Sequence, residues 1–356
     1  MSAARSKKRV TLQDIAIRTG YSVNTVSHAL RNKEDISRET CRKIQQAARD
    51  MGYMGNELAS SLRSGQTNTI AVIMGNLSNP FYSILTDIIQ IQAAQNDYRL
   101  LIMCSRDQAR QEMELAEAAV ARRADGILLF PTEDSGKTVE RLCQMNIPFV
   151  LMFRSLENLR ADSVVCDEEE GGYLAARHLL DSGCRKLAYL ARHRIVYSYQ
   201  KRLDGFLRAC REAGLGEDEA LFYCGQADPA TTWQAKTTQT LISWREKGVD
   251  GIFVFCDVEA WQVQFLLQQA PELRDWDVGV VGFDNIQGVH IFPGALCSVD
   301  YDFEGAVRKA LDMLYAQIRG ETLPERTLVC PVRMVCRGSC RPGRHAIWPP
   351  VGGFSG

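Results

Sequence analysis

The chain has 356 residues and carries 42 Lys plus Arg against 43 Asp plus Glu, a formal net charge of −1. That length allows more than one domain and sizeable cores. No apolar run is long enough to span a bilayer and no apolar signal segment opens the chain, which argues against a membrane or exported protein and makes a cytoplasmic location the expectation.

The average charge hides an asymmetry. Residues 1–65 hold 12 basic and 6 acidic side chains, a balance of +6, and the remainder is −7. A basic headpiece on an acidic body suits a protein that touches a polyanion at one end. Arg5, Lys7, Lys8 and Arg9 precede TLQDIAIRTGYSVNTVSHAL at residues 11–30. Thr11 can cap a first helix, with Asp14 in the capping-box position. Leu12, Ile15 and Ala16 then share one face, and Gly20 supplies a left-handed stop. Ser22 can cap a second helix, on which Val23, Val26 and Leu30 form an apolar stripe. A third helix, capped by Ser37 and stopped by Gly52, is expected over 38–51. Helix, glycine turn, helix is the layout of a helix-turn-helix DNA reader. An ordinary helical hairpin shares that pattern; the basic flank and the third helix favour the DNA reader.

Beyond Gly65 the texture changes. TIAVIM (Thr69–Met74) reads as a buried strand. Helices are then expected over 80–95, 110–122 and 136–145, alternating with strands over 99–103, 126–130 and 148–152. After Cys166 a second series follows, with helices over 169–180, 198–213, 229–244 and 259–269. Its strands are expected over 187–190, 221–223, 251–255 and 278–282. Near-continuous apolar strands separated by helices imply parallel sheets covered on both faces. Two such series imply two doubly wound lobes in an α/β chain. Ligands of such sheets sit beyond the carboxyl ends of the strands and here also between the lobes.

Motifs for chemistry are missing. No GxGxxG follows the first strand, and no GxxxxGK[ST], GxSxG or HExxH occurs. The run DVGVVGFDN at 277–285 is a strand with small residues. The 5 histidines show no convincing pairing, so no enzymatic activity is expected. Of the 12 cysteines, Cys104, Cys166, Cys224 and Cys256 lie in apolar segments, where a thiol behaves as a small hydrophobe. Cys330, Cys336 and Cys340 fall close together without the spacing or histidine partners of a zinc site. Reduced, mostly buried thiols and no metal are expected.

The headpiece TLQDIAIRTGYSVNTVSHAL, then NELASSLRSGQTNTIAVIM and SNPFYSIL, resembles the lactose/galactose repressor (LacI/GalR) family of bacterial transcription regulators. Later segments agree in order: DSVVCDEEEGGYLAARHLLDSGCRKLAYL, RLDGF at 202–206, VVGFDN at 280–285 and RGSC at 337–340. The resemblance spans about residues 10–340. It implies a DNA-binding headpiece over 1–55, a hinge helix and linker over 56–66, and a two-lobed core over 67–340. That core, similar to periplasmic binding proteins, serves effector binding and dimerisation. The first lobe is expected over 67–165 with 298–326, the second over 166–297 with 327–340, and a flexible tail over 341–356.

Under this resemblance the second helix enters the major groove, and Val23, Asn24 and His28 reach base edges. Asn24 can pair bidentately with adenine and Val23 can touch a thymine methyl. The family commonly has arginine where His28 stands. Imidazole still donates a hydrogen bond but lacks the guanidinium's two-pronged contact to guanine, so a shifted operator is expected. Thr11, Ser22, Thr25 and Ser27 join Lys8 and Arg9 as DNA-facing candidates. Residues 56–63 look like the family's hinge helix, too short to be stable alone in water. It is expected to fold when two copies pack over the minor groove, with Asn56 at its start, Ala59 allowing close approach and Leu62 as the wedge. Gly55 and Ser60 replace the usual proline and frequent arginine. Glycine costs more entropy to order, which implies a looser hinge.

The interlobe cleft is expected to take a small effector, a carbohydrate, and no other cofactor. The resemblance points to Asn79, Phe81, Tyr82, Arg154, Arg202 and Asp284, with Asp167 and Asp257 at the pocket edge. Arg202 and Asp284 together suit vicinal hydroxyls, while Phe81 or Tyr82 packs on an apolar sugar face. Phe153, Glu168 and Cys256 replace polar residues common in the family, and Trp233 and Trp261 add large rings nearby. The chain is thus expected to be a homodimeric repressor on pseudo-palindromic double-stranded operator DNA. Its effector would shift operator affinity through the hinges, by about 1–3 kcal/mol. The alternative is a sugar-binding transport protein, which would need a signal segment and no basic headpiece. The Pro- and Gly-rich tail lacks leucine heptads, arguing against a tetramerising coiled coil.

Overall fold

The computed structural model describes residues 10–31, 33, 35–53, 65–156, 161–192, 196–216, 218–224, 232–288, 295–321 and 326–340. Two units separate, Met1–Thr67 and Asn68–Gly356. The expected basic arm (Arg5 to Arg9), the hinge residues Gly55, Asn56, Leu58, Ala59, Ser60 and Leu62, and the tail 341–356 lie outside the described residues.

In the first unit, α1 (Leu12–Thr19), α2 (Val23–Leu30) and α3 (Arg38–Asp50) follow their local signals. The Asp14 amide donates to Thr11 Oγ1 at 3.3 Å, and the Thr11 amide donates to Asp14 Oδ2 at 2.8 Å, closing the capping box. Gly20 ends α1 at φ +76°, a left-handed conformation that glycine adopts without steric cost. Ser22 and Ser37 cap α2 and α3 through the amides of Thr25 and Thr40. The three helices meet on Ile15, Ala16, Val26, Ala29, Ile44 and Ala48. Val23, expected on the apolar stripe, instead stands 37% exposed, because Val26 and Ala29 alone give α2 its buried face.

The second unit holds two six-stranded sheets. The first contains β1 (Thr69–Met74), β2 (Arg99–Cys104), β3 (Gly126–Leu129), β4 (Phe149–Met152) and β5 (Ser163–Cys166). Its connecting helices are α4 (Pro80–Ala94), α5 (Ala109–Ala121) and α6 (Gly136–Gln144). The second sheet contains β6 (Leu187–Ala191), β7 (Ala220–Cys224), β8 (Gly251–Val254), β9 (Gly279–Phe283) and β10 (Cys297–Tyr301). Around it lie α7 (Glu168–Asp181), α8 (Val196–Glu212), α9 (Trp233–Glu246) and α10 (Asp257–Gln269). The chain returns to the first lobe in α11 (Phe303–Ile318) and β11 (Thr327–Cys330), then crosses back to β12 (Val332–Val335).

The strand orders are β11-β5-β4-β3-β1-β2 and β12-β10-β9-β8-β6-β7, parallel throughout except for the antiparallel β10–β12 pair. This is the doubly wound α/β pair of lobes that the apolar strands implied. The lobe boundaries differ in detail. The strand β10 pairs with β9 and so belongs to the second sheet, although residues from 298 on were expected in the first lobe. Conversely β11 pairs with β5 in the first sheet, although residues from 327 on were expected in the second lobe. The crossovers fall after complete strands, where no ladder hydrogen bonds are cut.

Helices α7 and α8 pack unusually closely. A Cβ on Gly172 would stand 2.0 Å from the Arg202 carbonyl oxygen, and one on Gly205 would stand 1.8 Å from that of Glu169. Glycine at both positions lets the backbones touch, which fixes Glu168 at the start of α7 against Arg202 in α8.

Candidate functional site

In the headpiece, Asn24 is exposed beside Val23 at the start of α2, and Thr25, Ser27 and His28 are half-buried. Positions 23, 24, 27 and 28 share the face opposite Val26 and Ala29. The helix N-terminus adds a partial positive charge suited to phosphate. Ser22 Oγ already caps the helix and lies 2.8 Å from Thr25 Oγ1, and Thr11 is likewise committed to its capping box. His28 Nδ1 lies 2.6 Å from Asp35 Oδ2. A carboxylate only accepts, so Nδ1 carries the proton and the ring is held with Nε2 as its other polar atom. Sequence spacing alone does not reveal this anchor.

In the body, a cavity of about 110 Å³ lies between the two sheets' carboxyl ends. Among the sequence-derived residues, Asn79, Phe81, Tyr82, Arg154, Arg202 and Asp284 line it, as do Phe153, Glu168 and Cys256. The first lobe supplies an aromatic wall. Phe81 meets Tyr82 and Phe153 edge-on at 5.2 and 5.6 Å, and Tyr82 meets Phe130 at 5.6 Å. Asn79 Oδ1 accepts from the Phe81 amide and so caps α4. Arg154 Nη1 donates to the Pro131 carbonyl at 2.8 Å, joining two lining residues.

The second lobe supplies charge. Arg202 is 5% exposed, and its guanidinium lies between the rings of Phe255 and Phe283, with Cζ 4.4 and 3.5 Å from their centroids. Its Nε donates to Glu168 Oε2 at 2.5 Å and its Nη1 donates to the Phe255 carbonyl. Asp284, expected to work with Arg202, stands 4.0 Å from Nη2, beyond hydrogen-bonding distance. The first partner of Arg202 is therefore Glu168. Burial disfavours the guanidinium's charge, but Glu168 and Asp284 outweigh it and hold its pKa above the ordinary value. Burial pushes the Asp284 carboxyl well up, against the pull of Arg202. Glu259 is raised to about 7 by burial, opposed by the Arg192 amide that donates to it.

Two expected pocket residues are not in the lining. Asp167 Oδ1 accepts from the Glu170 amide and caps α7. Asp257 is fully buried, with Oδ1 accepting from Ser298 Oγ at 2.6 Å and Oδ2 from the Ile286 amide at 2.8 Å. Burial raises its pKa to about 7 against those hydrogen bonds. It holds the strand end behind Asp284 in place of facing a ligand. Trp233 and Trp261 pack on the second lobe's core and do not line the cavity. Sequence reasoning missed Phe130, Met152, Cys166, Ser198, Phe255 and Tyr301, which close the walls.

Three of the nine described non-glycine residues at positive φ lie at or beside this cavity. Phe153, Asp284 and Asn285 have φ of +61°, +100° and +49°. Each costs about 1–3 kcal/mol and is held by its surroundings, as strained residues at ligand sites often are. Asn285 is fixed by its amide donating to Ser298 Oγ, by Asp300, and by Arg337 Nη2 donating to its Oδ1 at 2.6 Å.

The pattern described as bacterial regulatory proteins, lacI family, matches residues 11–56, and that of a periplasmic binding protein-like domain matches residues 176–340. The chain is 27% identical over 332 residues to an HTH-type transcriptional repressor PurR of Vibrio parahaemolyticus, covering 93% of this chain and 98% of the relative. Its fold is similar to that of a lac repressor dimer bound to operator and the anti-inducer ONPF. The TM-score there is 0.79 at 22% identity, covering 94% of this chain and all, 100%, of that one. It is also similar to a transcriptional regulator CelR–cellobiose complex, with a TM-score of 0.65 at 21% identity over 93% of this chain and 100% of that one.

Proposed function

We propose that the chain is a member of the LacI family of bacterial regulatory proteins and a DNA-binding transcription repressor, working as a homodimer, whose operator affinity is set by a small carbohydrate in the interlobe cavity. The observation that carries the effector reading is the convergence of an aromatic wall from one lobe and a buried Arg202–Glu168–Asp284 cluster from the other on one cavity. Flat rings suit the apolar face of a sugar, and carboxylates with arginine suit its hydroxyls. Similarity to a regulator in complex with cellobiose supports that class. At about 110 Å³ the cavity is smaller than the roughly 300–1,000 Å³ of drug-sized sites, which favours a compact ligand.

The headpiece reads DNA through Val23, Asn24 and His28, with Thr11, Ser22, Thr25 and Ser27 on the backbone side and Asn56, Ala59 and Leu62 in the hinge. Such a regulator acts in the cytoplasm and needs no catalytic step. Among the described residues no helix is long and apolar enough to cross a membrane.

Thermal-shift screening against sugars, sugar acids and nucleosides tests the ligand class, because a ligand selective for the native fold raises its melting temperature. A sugar that stabilises wild-type protein but not Asp284→Ala supports the reading. Stabilisation by nucleosides alone contradicts it.

A further inference from the structure

Away from the cavity, the second lobe gathers three thiols and an imidazole at one point. His178 lies in the last turns of α7, Cys297 opens β10, and Cys336 and Cys340 flank the turn that follows β12. One donor atom from each lies within 4.8 Å of all the others. Cys297 Sγ is 3.8 Å from Cys336 Sγ, which is 3.8 Å from Cys340 Sγ. A tetrahedral zinc ion with bonds to sulfur of about 2.3 Å sets its thiolates about 3.8 Å apart. Two of the three thiol pairs thus stand at the spacing of a metal tetrahedron, the third lies within 4.8 Å, and both measured pairs are far beyond the roughly 2.05 Å of a disulfide.

The surroundings fit the same occupant. His178 Nε2 is buried and makes no well-formed hydrogen bond, and the imidazole's neighbour there is the Cys297 thiol, as expected of two ligands that share one ion. The Arg337 amide donates to Cys297 Sγ at 3.1 Å, the kind of outer contact that steadies a thiolate ligand. Gly338, at φ +97°, folds the 336–340 segment back on itself, and Ser339 Oγ pins that fold by accepting from the Cys297 amide and donating to the Val280 carbonyl. Cys336 is exposed while Cys297 and Cys340 are buried, which leaves one open approach to an otherwise enclosed site.

We propose that His178, Cys297, Cys336 and Cys340 bind a thiophilic divalent cation, Zn²⁺ in first place, as a closed structural site. The ion would staple the end of β12 to β10 and α7. Its effect reaches the strained strand end, because Ser298 and Arg337, each adjacent to a ligand, both hold Asn285 beside Asp284. Histidine and cysteine ligands from three separate segments explain why no zinc spacing is visible in the sequence.

Full-length protein, purified reduced and stripped with a chelator, is titrated with Co²⁺ and then with Zn²⁺. The expected result is one Co²⁺ per chain with the intense visible bands of tetrahedral thiolate coordination, displaced by Zn²⁺. Cys336→Ser, at the exposed ligand, and His178→Gln should each weaken binding by at least about 100-fold. Cys143→Ser, an exposed cysteine in α6, should change nothing. Absence of tetrahedral bands in the reduced wild type overturns the proposal, as does unchanged binding in both ligand variants. A Cys336–Cys340 disulfide in protein isolated from the cytoplasm under thiol-trapping conditions, with no metal bound, overturns it in favour of a redox pair.

Discussion

Replacing Gly205 with alanine drives a methyl group into the backbone of the neighbouring helix. Its Cβ would stand 1.8 Å from the Glu169 carbonyl oxygen and 2.7 Å from the Tyr173 amide nitrogen. Carbon–oxygen contacts settle at about 3.3–3.6 Å, so α7 and α8 must part by about 1.5 Å. The opposed atoms are main chain, and no side-chain rotation relieves the clash. Overpacking typically costs about 1–3 kcal/mol, and this case belongs near 3. For a unit of this size about 1 kcal/mol corresponds to roughly 2 °C, giving a fall in melting temperature of about 6 °C. The same displacement takes Arg202 Nε out of its 2.5 Å contact with Glu168. Affinity for the cavity ligand should then fall at least tenfold, about 1.4 kcal/mol. Differential scanning calorimetry and isothermal titration read the two effects. A melting temperature within about 1 °C of wild type, with unchanged ligand affinity, would refute the tight-contact argument.

Glu168→Gln keeps the shape but removes the nearer charge from buried Arg202. Breaking a buried pair costs about 3–5 kcal/mol, and Asp284 at 4.0 Å keeps the loss near the lower figure. Denaturant unfolding checks this, and the double variant with Arg202→Leu should recover part of the loss. The buried Asp257 titrates near 7, above its unfolded value of about 3.9. Its native-state preference for the proton is fully present below about pH 4 and is lost as pH rises through 7. The melting temperature of wild type should therefore drop relative to Asp257→Asn between about pH 4 and pH 7, and a constant difference across that range contradicts the assignment. His28→Arg should move the selected operator toward guanine at one position in each half-site, by about 1–3 kcal/mol of discrimination. Selection from random duplexes measures it, and an identical preference in both proteins would remove residue 28 from the base contacts.

The headpiece was legible because its signals are local. Thr11, Ser22 and Ser37 each cap a helix within three residues, and Gly20 stops one. The central strands were legible as apolar runs buried on both faces, such as Thr69–Met74. The alternation read from sequence ended at 282 and did not contain β5, β10, α11, β11 or β12. The strands among these are short, and β11 and β12 carry exposed positions that break the apolar run. The site was half legible. Residues at a helix start or just beyond a strand, such as Phe81 and Asp284, could be placed by resemblance. The Arg202–Glu168 contact depends on two helices meeting at Gly172 and Gly205, and neither glycine signals its partner. The thiol–imidazole cluster is likewise a product of topology, since β10 and β12 become neighbours only after the chain has crossed between the lobes twice.

Operator affinity measured with and without saturating cavity ligand tests most directly whether this molecule is a ligand-governed repressor. An operator is first selected from random duplexes, and anisotropy then gives both constants at one fixed salt concentration. The ligand should shift operator affinity by about 5–150-fold, and operator should shift ligand affinity by the same factor. Equal operator affinity in both states, with the cavity demonstrably filled, would contradict the coupling between cleft and DNA.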